Sequence, residues 1–323
     1  MILVQAADMD TNQVQIIQVD PEIDGQRLDN FLLRYLKGLP RTRVYRIVRK
    51  GEVRINGRRA KPQVRLKAGD KVRIPPIRDL ERRPEAVGSF ENLDSLILHE
   101  DDHLIVLNKP AGMAVHGGSG VNAGVIETLR HARTDLARCE LVHRLDRGTS
   151  GCLMIAKRRG YLKLLQDALR RPGTLSKTYL AVVHGYWSNG QVTVDEPLAT
   201  TSRSGQERFT RVDPAGKPAR TLFRPLRQAE ALSLVEAQPL TGRTHQIRVH
   251  SRWLRHAIIG DDRYGDEFAD QQLRGRPRRM LLHATRLVIP SLEGHDRLEV
   301  TAPVDAAFKR YLETTLETDN LEI

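Results

Sequence analysis

The stretch His143-Arg144-Leu145-Asp146-Arg147-Gly148-Thr149-Ser150-Gly151 is where this chain could do chemistry. One carboxylate stands close to two arginines, and a Thr-Ser-Gly turn leads straight into an apolar run. A nearby guanidinium favours the charged form of a carboxylate. Asp146 therefore suits the part of an ionised nucleophile or base in a pocket shared with a polyanion. A structural salt bridge would need only the Arg144/Asp146 pair, so this stretch alone leaves both readings open. A second segment, Thr241-Gly242-Arg243-Thr244-His245-Gln246-Ile247-Arg248-Val249-His250, gathers further cations and imidazoles. The i, i+5 spacing of His245 and His250 does not place both on one helical face, and no HExxH occurs, so no metal site is expected. Asp261, Asp262 and Asp266 lie among glycines and read as a turn. Neither a P-loop nor a GxGxxG turn is found, so no organic cofactor is expected.

These segments need a frame. After residue 96, short apolar runs read as strands at 104–107, 151–156, 179–184, 232–237 and 286–289, with helices near 125–134 and 161–169. This predicts a mixed α+β domain, dominated by sheet, over residues 95–312. A smaller module occupies residues 20–76. Leu28, Phe31, Leu32, Tyr35 and Leu36 fall on one helical face, and Gly38 and Pro40 end that helix. A second helix over 42–50 turns Val44, Ile47 and Val48 inward. Arg41, Arg43, Arg46, Arg49 and Lys50 occupy its other positions and its start. Strand signals follow at 52–55, closing on the turn Asn56-Gly57, and at 70–74; the first carries Arg54. Residues 77–94 are polar and charged and read as a linker. The acidic tail, 313–323, is expected to fray.

The charge is not spread evenly. Residues 25–75 hold sixteen Lys/Arg against three acids, a net of +13 in a chain whose total is +12. The other 272 residues carry 36 basic and 37 acidic groups. A confined excess of this kind is the electrostatic footprint of a phosphate-backbone partner. A merely solvated surface would mix both signs. No run approaches the ~18 apolar residues of a membrane span, and residues 1–10 lack the basic start and apolar stretch of a signal peptide. Cys139 and Cys152 form no CxxC and are expected to be buried, reduced thiols. The chain reads as cytoplasmic.

The Asp146 stretch and four further segments resemble the RluA-type pseudouridine synthases, in the order that family shows them. The four are Asn108-Lys109-Pro110-Ala111-Gly112 running to His116-Gly117-Gly118-Ser119-Gly120; Lys177-Thr178-Tyr179; the 241–250 segment; and Gly260-Asp261-Asp262-Arg263-Tyr264-Gly265 with Leu282-His283-Ala284. The N-terminal module resembles the S4 RNA-binding fold, two helices and a small basic hairpin. Two departures are Gly148, where many relatives carry an acidic or polar residue, and Arg255-His256-Ala257, which replaces Gly-His-Pro.

The resemblance implies isomerisation of uridine to pseudouridine without cofactor or metal. Asp146 would be the essential carboxylate, and Tyr179 would stack on the uracil and help remove its C5 proton. Arg243 would be the partner that keeps Asp146 ionised. Arg144 would fill the space left by an extruded base or hold a phosphate. His143, Thr149, His245 and Arg248 would line the substrate site. Arg41, Arg43, Arg46, Arg49, Lys50 and Arg54 would meet RNA from the S4-like module. Within the family, the module followed by the His-Gly-Gly-Ser-Gly loop points to 23S (large-subunit) ribosomal RNA, free or in an assembling particle, and to a monomer. Three rival readings fit less well, one of them an RNA methyltransferase, which would need a Gly-rich nucleotide-binding turn after its first strand. A non-catalytic RNA-binding factor would not need intact Asp146, Tyr179 and Arg243 segments, and a hydrolase would usually call for a second acid or a metal.

Overall fold

In the computed structural model, residues 13–36, 39, 41–77, 93–117, 124–171, 173–201, 209–273 and 279–316 are described. The chain divides into two units, Met1–Val87 and Gly88–Ile323. Gly38 and Pro40, most of the expected linker, Gly118 to Gly120, and the tail beyond residue 316 lie outside the described residues.

In the first unit, helices α1 (Leu28–Tyr35) and α2 (Arg41–Arg49) form where the apolar spacing places them. Leu28, Phe31 and Leu32 meet Val44, Ile47 and Val48 in one buried cluster, which Val53, Leu66, Val72 and Ile74 complete. Fully burying one such side chain stabilises a fold by about 1.5–3 kcal/mol, so this cluster holds the module together. Strands β1 (Gln15–Gln18), β2 (Arg54–Ile55), β3 (Arg58–Arg59) and β4 (Lys71–Ile74) pair antiparallel in the order β1-β4-β2-β3. The hairpin between β2 and β3 turns on Asn56 (φ 49°) and Gly57 (φ 77°), the positive pair that a two-residue turn requires. The sheet is larger than the expected hairpin, and β1 precedes residue 20. With four residues and Ile16 left 67% exposed, β1 offers almost no pattern to read.

The second unit is built on one long sheet. Its strands are β5 (Ile97–Glu100), β6 (Leu104–Lys109), β7 (Glu140–Leu141), β8 (Ser150–Ala156), β9 (Ser176–His184) and β10 (Val192–Asp195). After the separate pair β11 (Leu198–Thr201) and β12 (Phe209–Val212) come β13 (Arg220–Gln228), β14 (Leu232–Pro239), β15 (Leu282–Ile289) and β16 (Leu298–Thr301). The order is β10-β13-β14-β9-β15-β8-β6-β5, with β16 on β15 and β7 on β8. β8 and β15 run parallel, and their pairing makes the sheet mixed. Every residue of β8 is buried, which explains its unbroken apolar run. Gly151 lets β8 approach β15: its φ is +105°, and a Cβ there would lie 2.2 Å from the Ala284 carbonyl oxygen.

Helices α3 (Val125–Ala132) and α4 (Arg159–Arg170) bury apolar faces, α3 through Val125, Ile126 and Leu129 and α4 through Tyr161, Leu162 and Leu165. α5 (Gln246–Trp253), α6 (Glu267–Gln272) and α7 (Ala306–Leu316) complete the unit. α7 runs past residue 312 because Phe308, Tyr311 and Leu312 bury against Leu180, Val182 and Leu234. Cys139 and Cys152 are buried free thiols. No helix among the described residues is long and apolar enough to cross a membrane.

Candidate active site

Asp146 lies on the loop that joins β7 to β8. A turn closes behind it, with the Thr149 amide donating to the Asp146 carbonyl at 3.1 Å. The strand end Asn108-Lys109 and the turn after it clamp this loop. The Gly112 amide donates to the Arg147 carbonyl (2.8 Å), and Arg147 Nε returns a bond to the Gly112 carbonyl (2.8 Å). Lys109 Nζ, only 1% exposed, donates to the carbonyls of Pro110 (2.8 Å), Met113 (2.8 Å) and Arg147 (3.3 Å). Burial pulls its pKa down to about 7, against the attraction of Asp146 and with the repulsion of Arg279.

Lys109→Met is therefore expected to destabilise the protein by about 2–3 kcal/mol, because buried carbonyls lose their donor. Unfolded lysine keeps its proton to about pH 10, whereas folded Lys109 releases it near 7. The wild type sheds the cost of burying a charge as pH rises between those values, and the methionine variant has no such cost to shed. The stability gap in urea unfolding should widen from pH 7 to 10; a gap that narrows would contradict this account.

α5 brings the partner of Asp146. Gln246 fixes the start of that helix, accepting from Thr241 Oγ1 (2.7 Å) and the Arg243 amide (3.0 Å) and donating to the Arg220 carbonyl (2.9 Å). Within the first turn, Arg248 Nη1 reaches Asp146 Oδ2 at 3.2 Å. The expected partner was Arg243. That residue precedes the helix, and its Nε donates to the Pro218 carbonyl (2.9 Å), so it lines the cleft without meeting the carboxylate.

Arg248 also spans Asp261, Nε to Oδ2 at 2.7 Å and Nη2 to Oδ1 at 2.6 Å. Burial opposes its charge, but Asp261 and then Asp146 outweigh burial and raise its pKa. Burial also opposes the Asp261 charge, and its Arg248 bonds with the Tyr264 and Arg263 amides prevail to lower the pKa.

His245 adopts the left-handed conformation (φ 54°), which costs a non-glycine residue about 1–3 kcal/mol. This directs Nδ1 to the Tyr264 hydroxyl (2.8 Å) and Nε2 to within 3.8 Å of Asp146 Oδ1. Burial lowers its pKa, with Asp146 opposing. His250 does not join it: Nδ1 meets Thr221 Oγ1 (2.9 Å) and Nε2 the Glu196 carbonyl (3.0 Å). His143 lines the cleft, yet its Nε2 accepts from the Met154 amide (3.2 Å). Burial, then the nearby Lys177, push its pKa down to about 3, so it rests neutral.

Two clefts meet at Asp146. One, of about 530 Å³, is lined by Tyr179, Arg144, Arg170, Lys177, Arg243 and Arg248, with Thr149 also on its wall. Asp146 is its only carboxylate among the described residues. Burial, then Asp146 and Cys152, raise the pKa of the Tyr179 phenol, so the ring rests protonated. The other cleft, of about 680 Å³, has Arg147, Arg263 and Arg279 on its walls, with Arg144 shared between the two. A carboxylate beside a phenol and ringed by guanidinium groups suits a nucleoside that arrives with its phosphates.

In the first unit, Arg46, Arg49, Lys50 and Arg54 are exposed, and Arg43 is half-buried. Arg41 opens α2. Two of the module's acids are turned to internal work. Asp29, 2% exposed, accepts from Arg27 and from Tyr45 Oη (2.9 Å), and Asp70 accepts from Asn56 Nδ2 (2.8 Å) and the Lys67 amide (2.9 Å).

Residues 103–253 match the RNA pseudouridylate synthase model and residues 26–72 match the S4 domain model. The chain belongs to the RNA pseudouridylate synthase family and carries an N-terminal S4 domain, as the sequence motifs led us to expect. Over 311 residues it is 47% identical to Ribosomal large subunit pseudouridine synthase C of Salmonella typhi, covering 94% of this chain and 97% of that one. The protein of the same name from Escherichia coli (strain K12) is 46% identical over the same shares. Among solved structures, Human RNA Pseudouridylate Synthase Domain Containing 4 superposes with a TM-score of 0.57 at 26% identity, covering 69% of this chain and 94% of that one. Human RNA Pseudouridylate Synthase Domain Containing 1 gives 0.53 at 25% over the same shares. The protein is thus a pseudouridine synthase, an isomerase.

Proposed function

We propose that this enzyme converts uridines of large-subunit (23S) ribosomal RNA to pseudouridine, as a cytoplasmic monomer. Identity of 46–47% along 94% of the chain to proteins named for that activity supports the substrate. The placement of Asp146 beside Arg248 and Tyr179 in a basic cleft supports the chemistry.

In the reaction the N1–C1′ bond of the nucleoside breaks and a C5–C1′ bond forms. The C5 proton leaves and N1 gains one, so nothing is added or lost overall. Asp146 serves as nucleophile or as base, splitting one hard step into two easier ones. Tyr179 stacks on the uracil, and its protonated resting state suits that part better than proton removal from the start. Arg144, exposed at the junction of both clefts, takes the space of the extruded base or a flanking phosphate. Thr149 and His143 hold the loop, and Arg243 contributes positive charge to the cleft wall.

Carbodiimide labelling with primer extension on large-subunit rRNA, from cells with and without this protein, tests the reading. Stops at particular uridines should vanish without the protein and return with it. If no uridine in that RNA changes, the proposed substrate is wrong.

A further inference from the structure

Isomerisation needs a proton carrier as well as the carboxylate. Once C1′ has joined C5, that carbon holds both its hydrogen and the ribose, and N1 is double-bonded to C6. The C5–H electron pair must then move into a C5–C6 double bond, and the pair displaced from C6–N1 must take a proton at N1. N1 and C5 flank C6 in the ring, so one base placed over C6 reaches both. Asp146 has its own step, as nucleophile or base of the bond exchange. Tyr179 rests protonated, because burial, then Asp146 and Cys152, raise its pKa. His143 is committed, its Nε2 accepting from the Met154 amide. The Lys177 pKa is lowered by burial, with no pull from Asp146, so that amine stands apart from the reacting carboxylate. The arginines of the cleft keep their protons.

His245 differs from all of these. It lines both clefts. Its Nδ1 is tied to the Tyr264 hydroxyl at 2.8 Å, and that oxygen is itself fixed by the Thr210 amide at 2.9 Å. Nε2 has no hydrogen-bond partner among the described residues and lies 3.8 Å from Asp146 Oδ1. Burial leads in lowering the pKa of the ring, Arg248 and Arg144 assist, and Asp146 and Asp261 oppose, so the imidazole rests neutral. A glycine would take the left-handed backbone of residue 245 (φ 54°) without strain. Strain of this kind persists where the side chain is put to use.

We propose that His245 is a catalytic residue of the isomerisation, whose Nε2 takes the proton from C5 and returns one to N1. The proposal rests on Asp146 as the group that reacts first. With Nδ1–H donating to Tyr264 Oη, the Nε2 lone pair faces the cleft. The C5–H bond breaks, an Nε2–H bond forms, and the electron pair restores the C5–C6 double bond. By this stage Asp146 has finished its step and is charged again, so it steadies the imidazolium beside it. The imidazolium gives its Nε2 proton to N1 and is neutral once more. Nothing is consumed, and exchange with water at Nε2 sends the C5 hydrogen to solvent.

The test compares full-length wild type, Asp146→Asn and His245→Asn in single-turnover conversion of large-subunit rRNA transcript, made with uridine or with [5-²H]uridine. Asparagine tolerates the left-handed backbone. In His245→Asn the rate should fall by about 100-fold or more, the scale of general acid–base catalysis, while the RNA concentration for half-maximal rate stays near wild type. Loss of the C5 proton then limits the reaction, so deuterium should slow the variant more than it slows wild type. A residue that only shaped the start of α5 would leave the isotope effect unchanged, and that result, or a near-wild-type rate, would overturn the proposal. Should His245→Asn not fold, Tyr264→Phe removes the tether on Nδ1 and leaves the imidazole in place. Its isotope effect should rise with a smaller loss of rate, and an unmoved isotope effect there overturns the proposal. Full activity in Asp146→Asn would instead remove the premise, an outcome distinct from a silent His245→Asn beside an inactive Asp146→Asn.

Discussion

Asp146→Asn is expected to lower pseudouridine formation by at least about ten-thousand-fold, the scale on which removal of a nucleophile or essential base acts. The fold should not notice. The loop is held by the Thr149 and Gly112 amides and by Lys109, none of which uses the Asp146 side chain. Asparagine has the same shape and can still accept from Arg248. The guanidinium also keeps Asp261 and Asp262, so no bare charge is left buried. RNA affinity should therefore change by less than about threefold, since the cations that meet phosphates are untouched. The isomerisation expels the C5 proton, so tritium release from RNA carrying [5-³H]uridine gives the rate and filter binding gives the affinity. Turnover within tenfold of wild type would take Asp146 out of the chemistry.

The second large effect should come from the S4 domain. Replacing Arg46, Arg49, Lys50 and Arg54 together with glutamine removes four exposed cations while leaving the buried Val44, Ile47 and Val48 untouched. Each phosphate that the protein no longer neutralises flattens the slope of log affinity against log salt by about 0.7 on single-stranded RNA, so the slope should drop by up to about 3. Conversion at saturating RNA should stay close to wild type, because the active site lies within the second unit. A slope equal to that of wild type would mean that this face of the module does not meet the phosphate backbone.

Much of this was legible in the residues, for identifiable reasons. The α1 and α2 faces obey the helical period, and the β8 run is apolar throughout because β8 is covered on both sides. Strands such as β13 escaped notice because arginines and Pro225 interrupt it and a bulge lies between Pro225 and Arg227. At the site, Asp146 and Tyr179 stood out by motif. Arg243 was named as the partner of Asp146 where Arg248 takes that place, because the sequence did not reveal that α5 starts at Gln246, with the first residue ahead of the helix and the second inside it. The pairing of Asp261 with Arg248 was not legible, because an aspartate among glycines reads as a turn and only its burial sets it apart. Lys109 was hidden likewise. A lysine at the end of an apolar strand suggests an exit to water, yet three carbonyls receive it in the interior.

The clamp of Lys109, Gly112 and Arg147 on the Asp146 loop has a consequence for which uridines are modified. A loop tied at its own backbone has little room to yield, so on the proposed reading the nucleic acid would do most of the bending. Uridines in hairpin loops, bulges or unfinished rRNA already lack part of their stacking and reach the carboxylate at small cost, whereas those in a settled duplex face a penalty of a few kcal/mol. The stiffness of the protein thus becomes a filter on the pliability of its target, and sites would be selected as much by how readily the RNA opens as by the bases around them.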